Sequence, residues 1–283
     1  MSMTEIEIIG RLAGEHQRTV TPGEPPRRSL ANLLGPLDAL AAHSPSLVAN
    51  HGATFTAAGE AWFLPRYLFI GPRGGAEPIR VVLFAGIHGD EPEGAHALAS
   101  FLRLLDRVPD LARGYCLFVY PVCNPTGFVR RTRESWSGKD LNREFWQGSN
   151  EPEVRLLESE IAAHALHGII ALHTDSTSDG FYGFAQGATL TRALIEPALE
   201  AAGEYVPVNR RRRIDGFDAR NGVVRGIYPG VLGAPPGLRP RPFEVVLETP
   251  ESPPAWLKES ALLAATQSIL SRYREFISYA ANL

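Results

Sequence analysis

The stretch from Ile79 to Gly94, IRVVLFAGIHGDEPEG, constrains this chain more than any other. Val81 to Phe84 is an apolar, partly β-branched run of strand length, the pattern of a strand buried on both faces. Ala85-Gly86 lets the chain turn sharply before His88-Gly89-Asp90-Glu91. Pro92 then fits the first turn of a helix, where its missing N–H goes unneeded, and Ala, Leu and Phe at helical spacing continue that helix from Glu93 to Arg107. His88 and Glu91 therefore stand at the carboxyl end of a strand, where open α/β sheets place their sites. An imidazole and a carboxylate three positions apart can share one metal ion, and zinc accepts that nitrogen and oxygen pairing. The same spacing also occurs in plain polar surface turns, so further ligands have to come from elsewhere in the chain.

At 283 residues, with 44% hydrophobic residues, the chain is long enough for one large α/β domain with a sizeable core. No linker or internal repeat marks a second domain, so residues 1–283 read as a single catalytic domain, with 1–28 as an extended lead-in closed by the Pro- and Arg-rich TPGEPPRRS. A net charge of −3 gives no overall basic field for nucleic acid, and no apolar run is long enough to span a bilayer. Glu5 and Glu7 occupy the place where a secretory signal carries a basic region, which points to a cytoplasmic protein. Cys116 and Cys123 lie at odd separation on or beside one expected strand, so their side chains point to opposite faces and no disulfide is expected.

Taken in order, Ser29 caps a helix reaching Ala42, with an interruption at Gly35-Pro36 and an apolar stripe of Leu30, Leu33, Leu34, Leu37 and Leu40. Two antiparallel strands, Ala53 to Thr56 and Trp62 to Ile70, lead into the central strand. Tyr115 to Val122 is another apolar strand, ending at Asn124-Pro125-Thr126-Gly127, and a polar, basic loop follows. A helix from Glu151 to Ala165 precedes a buried strand from Gly168 to Leu172, and His173 stands where that strand ends. Thr189 to Ala202 is the next helix. An irregular Arg-, Gly- and Pro-rich stretch, Val206 to Pro242, leads to the strand Phe243 to Leu247, which delivers Glu248. A long amphipathic helix, Trp256 to Tyr279, closes the chain with Leu262, Leu263, Ile269, Leu270, Tyr273 and Ile277 turned inward. Alternation of helix and strand predicts a three-layer α/β/α sandwich with a mixed, mostly parallel central sheet.

Polar residues thus end three buried strands: His88 with Glu91, His173, and Glu248. Two histidines and one carboxylate leave zinc a fourth position for water, and a separate carboxylate can take that water's proton, which is the composition of a hydrolase site. Arg133, Asp140, Asn142 and Arg143 in the intervening loop suit an anionic substrate, because guanidinium pairs with carboxylate in bidentate fashion.

In sequence order, His88-Gly-Asp-Glu91, Asn124-Pro-Thr-Gly127, Arg133 leading to Gly138-Lys-Asp-Leu-Asn142-Arg143-Glu-Phe145, Leu172-His173 and Val245-Val-Leu-Glu248 resemble the zinc carboxypeptidase family. Ile87-His-Gly-Asp-Glu91 and Asp140-Leu-Asn-Arg143 are most similar to the short bacterial murein-peptide amidase and carboxypeptidase subgroup. The resemblance implies one zinc ion held by His88, Glu91 and His173. It implies that Glu248 is the general base and then the acid for the leaving amine, and that Asp140 orients His88 from its far nitrogen. Arg133 would polarise the scissile carbonyl, Asn142 and Arg143 would hold the substrate's terminal carboxylate, and Tyr228 would close over it. The chain departs from the pattern at Ala171, where many relatives have aspartate. Asp175 after the second histidine reads as a loop carboxylate, and the Arg210 to Arg213 run as a solvated face rather than a site for an acidic substrate. His43, His51, His96, His164 and His167 read as surface or satisfied histidines.

The function expected is that of a zinc-dependent metallocarboxypeptidase or peptide amidase acting on a small peptide, or on an N-acyl amino acid, next to its free carboxylate. The alternative is an N-acyl-amino-acid amidohydrolase of the succinylglutamate desuccinylase and aspartoacylase type, whose members usually add a β-rich domain after the catalytic glutamate. From Thr249 onward this chain reads mostly as helix. A non-catalytic ligand-binding protein is the reading from another class, and it gives no reason for every ligand and base position to be filled.

Overall fold

The computed structural model describes residues 27–75, 77–187 and 191–280. The expectations for Glu5, Glu7 and most of the lead-in fall outside them. Helix α1, Leu30–Ala41, is capped by the Ser29 hydroxyl, which accepts from the Asn32 N–H. It runs through Pro36 without the expected interruption. Burial of Leu33, Leu34 and Leu37 outweighs the hydrogen bond that proline cannot donate.

Strands β1 (Leu47–Ala49), β2 (Thr54–Ala57), β3 (Glu60–Phe63) and β4 (Tyr67–Ile70) follow. The single strand expected from Trp62 to Ile70 is thus two. Pro65 has no N–H for a ladder, and the chain changes sheets there: β2 and β3 form a separate hairpin while β4 joins the main sheet. Next come β5 (Ile79–Ala85), α2 (Glu93–Arg107), β6 (Tyr115–Tyr120), α3 (Pro125–Arg130), α4 (Pro152–Ala163), β7 (Gly168–Asp175), β8 (Tyr182–Gly187) and α5 (Thr191–Ala202). The expected start of α5 at Thr189 lies outside the described residues. Strands β9 (Arg213–Ile214), β10 (Phe217–Arg220) and β11 (Val223–Arg225) give order to the stretch expected to be irregular, and β12 (Phe243–Pro250) and α6 (Ala255–Ala280) complete the chain.

The main sheet has ten strands in the order β1-β4-β6-β5-β7-β12-β8-β11-β10-β9. Its centre, β6-β5-β7-β12, is parallel, and both flanks are predominantly antiparallel. Val81, Leu83 and Ala85 of β5 pack into a core with α1, α2, α5 and α6, while Val82 and Phe84 pack into a second core with α4 on the other face. Helices therefore cover both faces of the sheet, as the α/β sandwich expectation requires. At the far end of α6 one expectation fails. Ile277 is 40% exposed, because the helix outruns the sheet beyond Tyr273. No helix among the described residues is long and apolar enough to cross a membrane.

Candidate metal centre and substrate cavity

His88 and Glu91 lie in the turn between β5 and α2, whose shape is set by close backbone approach. Gly86 has φ of +59°, and a side chain on Gly89 would place its Cβ 1.9 Å from the carbonyl carbon of Gly127. Asn124 joins the segments that converge here. Its side-chain oxygen caps α3 by accepting from the Gly127 N–H at 2.8 Å, and its amide donates to the Ile87 and Arg133 carbonyls, each at 3.3 Å. The Asn124-Pro-Thr-Gly127 motif is thus scaffolding that fixes the His88 turn against the Arg133 loop.

His173 and Glu248 arrive by strand register. Parallel pairing of β7 with β12 sets His173 directly opposite Glu248, and antiparallel pairing of β12 with β8 sets Glu248 opposite Tyr182. Residues opposed in register share a face, so His173, Glu248 and Tyr182 form one lateral row. Two residues earlier, Ala171, Val246 and Phe184 form the next row, which is apolar.

Both oxygens of Glu91 are engaged by imidazoles: Oε1 lies 2.6 Å from His88 Nδ1 and Oε2 lies 3.1 Å from His173 Nδ1. The three side chains offer ligand atoms within 4.8 Å of one another, and the rings stand 5.0 Å apart by centroid. His88 and His173 are 4% and 3% exposed. The second ring nitrogen of His88 lies 3.1 Å from Asp140 Oδ1, which fixes the ring's orientation and leaves Nδ1 facing Glu91. Thr174 donates its N–H to Glu91 Oε2 at 2.9 Å. Nitrogen and oxygen donors in this number, oriented by partners behind them, fit a tetrahedral zinc site with one open position.

Electrostatics follow from the same contacts. Burial opposes the charged imidazole of His88, yet the Glu91 carboxylate, with Asp140, raises it to about 8. Burial likewise opposes ionisation of Glu91, but the two imidazoles hold it well below the usual carboxylate range. Burial lowers His173. Burial, with Glu91, Asp175 and Asp215 nearby, pushes Glu248 well above the ordinary glutamate value.

Every residue nominated from the sequence except Asp140, which lies behind His88, lines one cavity of about 480 Å³. Arg133 donates to Asp140 Oδ2 from Nε at 3.2 Å and Nη2 at 3.0 Å, and its Nη1 lies 3.4 Å from Glu91. Asn142 gives its side-chain oxygen to the Leu232 N–H at 2.8 Å, so its amide group is the part left for a ligand. The Arg143 guanidinium stacks on the Tyr228 ring, 4.4 Å from its centroid, and the Tyr228 hydroxyl donates to Asp215 Oδ1 at 3.0 Å. Asp175 is not a loop carboxylate: it is the last residue of β7, accepts from the Tyr182 hydroxyl at 2.9 Å and lines the cavity. The Arg210 to Arg213 run stays outside this cavity, with Arg211 paired to Asp179 on the surface.

Sequence reasoning missed Arg28, Asp215 and Lys258, which also line the cavity. Asp215-Gly216, with φ of +51° and +78°, is the turn between β9 and β10. Asp-Gly between short alternating segments is a known hairpin signal that could have located it.

Residues 78–209 match the model of the succinylglutamate desuccinylase/aspartoacylase catalytic domain. Solved structures share the fold. A provisionally assigned metallopeptidase from Shewanella denitrificans has a TM-score of 0.65 at 21% identity, covering 86% of this chain and 87% of its own. A metallo-carboxypeptidase from Burkholderia cenocepacia has 0.64 at 17%, covering 88% and 70%. A metallo-carboxypeptidase from Pseudomonas aeruginosa, in complex with (2-guanidinoethylmercapto)succinic acid, has 0.61 at 15%, covering 87% and 69%. No curated protein sequence matches significantly.

Proposed function

We propose that this chain, a hydrolase of the metallocarboxypeptidase-like superfamily, is a zinc-dependent carboxypeptidase or peptide amidase that cleaves an amide bond next to a free carboxylate. The observation that carries the reading is the convergence of His88 Nδ1 and His173 Nδ1 on the two oxygens of Glu91, with Glu248 beside His173 in strand register. When bound at these three residues, zinc would supply Lewis acidity toward the carbonyl and an activated water.

The chain's own groups account for the remaining requirements. Glu248, whose affinity for a proton is raised by burial and neighbouring carboxylates, is in its ionised form a stronger base than an ordinary glutamate, suited to take a proton from water and then give it to the leaving amine. Arg133, anchored by Asp140 and 40% exposed, presents charge where the carbonyl oxygen becomes negative. Arg143 has no carboxylate partner among the described residues and, with the Asn142 amide, is free to hold the substrate's carboxylate. The Pseudomonas neighbour's succinic acid ligand accords with a carboxylate-bearing substrate.

The family-model match favours one second reading, hydrolysis of N-acyl amino acids. Both readings use the same residues and differ in the acyl group released. The test is a mass-spectrometric product screen of the zinc-loaded protein on cell-wall peptides, ordinary peptides and N-acyl amino acids, with Glu248→Gln as control. Release of a carboxyl-terminal residue or cleavage within a muropeptide is expected, and loss of Glu248 should slow turnover by about 10²–10⁴-fold while zinc stays bound. Release of acetate or succinate alone would move the protein to the second reading. Full activity of the Glu248→Gln protein would overturn the mechanism.

A further inference from the structure

The turn that carries His88 and Glu91 is irregular backbone, joined to α3 by the Asn124 scaffold. Two cations from the chain's flanks, neither within residues 78–209, add further ties to it and to the start of α2. Arg28 comes from the segment before α1. Its own N–H donates to the Val129 carbonyl at 2.9 Å, and its guanidinium lies over the Phe128 ring, 5.3 Å from the centroid. From there it donates to the Gly89 carbonyl and, at 3.3 Å, to the Asp90 carbonyl, the two residues between His88 and Glu91.

Lys258 comes from the first turns of α6 and is only 5% exposed. A buried ammonium persists where it is paired. Its Nζ donates to Glu93 Oε1 at 2.6 Å and to the Glu251 carbonyl at 3.1 Å. The other oxygen of Glu93 accepts from the Thr174 hydroxyl at 3.0 Å, and Thr174 is the residue whose N–H holds Glu91. Glu251 in turn donates its N–H to the Asp175 carbonyl at 3.1 Å. One ammonium therefore ties together the start of α2, the end of β7 that bears His173, and the segment that follows Glu248.

We infer that Arg28 and Lys258 are positioning residues of the metal centre: Arg28 pins the His88–Glu91 turn to α3, and Lys258 ties the start of α2 to the His173 and Glu248 strand ends, so that ligands from separate elements meet one ion. This rests on the reading that His88, Glu91 and His173 hold the metal. Neither cation is a ligand. Each acts through backbone or through Glu93, in the way that groups behind metal ligands set affinity by fixing geometry. The separation of the two contacts matters: Arg28 restrains the turn between the two ligands it carries, and Lys258 restrains the distance from that turn to the third.

The test uses the full chain and zinc alone, with affinity read by competition against a chromophoric chelator and folding of the metal-free protein followed by circular dichroism. Arg28→Met and Lys258→Met should each lower zinc affinity by about 10–100-fold in protein that is still folded. Lys258→Arg should recover much of that loss, since it keeps the charge and donors. The cobalt-loaded variants should show a changed visible absorption band, because that band reports ligand geometry, which a remote structural role leaves alone. If Lys258→Met does not fold, Arg28→Met decides, because its side chain sits at the rim and touches only carbonyls and a ring. Zinc affinity within about twofold of wild type in the folded variants, with an unchanged cobalt spectrum, would overturn the inference. Failure of the wild type to bind zinc, or unchanged binding by His173→Ala, would instead overturn the reading it rests on.

Discussion

Asp140 accepts from four donors in three residues, and removing it tests how the site is held. Its Oδ1 meets His88 Nε2 at 3.1 Å and the Asn142 N–H at 2.9 Å, and its Oδ2 meets Arg133 Nε and Nη2 at 3.2 and 3.0 Å. In Asp140→Ala the imidazole of His88 loses the partner that fixes its tautomer, and Arg133 loses its anchor. Partners of this kind change metal affinity by about 10–100-fold, equivalent to about 1.4–2.7 kcal/mol. Freeing Arg133 should cost turnover separately, toward the 10²–10³ measured for loss of one oxyanion donor elsewhere. Asp140→Asn keeps an acceptor for His88 but turns an NH₂ toward Arg133 or loses that contact, so it should retain more of the zinc affinity than of the turnover. Chelator competition measures the first quantity and steady-state kinetics at saturating zinc the second. Equal zinc affinity in wild type and Asp140→Ala would refute the idea that His88 depends on this hydrogen bond for its orientation.

Two further outcomes follow from other parts of the structure. Glu153, 2% exposed near the start of α4, is pushed by burial from an ordinary 4.5 up to about 7. The folded state then holds a proton that the unfolded state has released, so stability should fall as pH rises from about 4.5 to about 7. The loss reaches about 3 kcal/mol, from roughly 2.5 pH units at about 1.36 kcal/mol each. Glu153→Gln should abolish that slope in urea titrations, and parallel pH profiles for the two proteins would contradict it. Gly89→Ala puts its new carbon 1.9 Å from the Gly127 backbone, so the His88 turn must separate from α3. A destabilisation of about 3 kcal/mol or more, together with weakened zinc binding, is expected, and a thermal melt at the wild-type temperature would show that the approach is not tight.

The His88, Glu91 and His173 cluster and the nearby Glu248 were legible because they stand at or just beyond the carboxyl ends of strands with plain apolar runs, and because β5 is buried on both faces. The cavity's other half was not legible, for physical reasons. In β8, YGFAQG, Gly183 and Gly187 depress strand propensity; the strand exists because β12 pairs with it, and a Cβ on Gly183 would fall 2.6 Å from the Val246 carbonyl. Lys258 sits in an amphipathic helix, where a lysine reads as solvated, and is buried because Glu93, 165 positions away, supplies its charge partner. Pro36 and Pro65 look alike as breakers. One is overridden by leucine burial and the other ends a strand, a difference set by the packing around each.

The placement of β12 has a consequence for how such a chain comes off the ribosome. Strands β7 and β8 are separated by a short connection, yet they do not pair; the strand bearing Glu248, made some sixty residues later, inserts between them. Until about residue 250 has emerged, the nascent sheet lacks its bridge and presents two facing open edges. The three proposed metal ligands are translated first and the proposed proton-transfer group, Glu248, last, so on the proposed mechanism the site is incomplete until the seam has closed. A translational pause just before Phe243 would lengthen the life of an inert, edge-exposed intermediate, and chaperone demand should peak there.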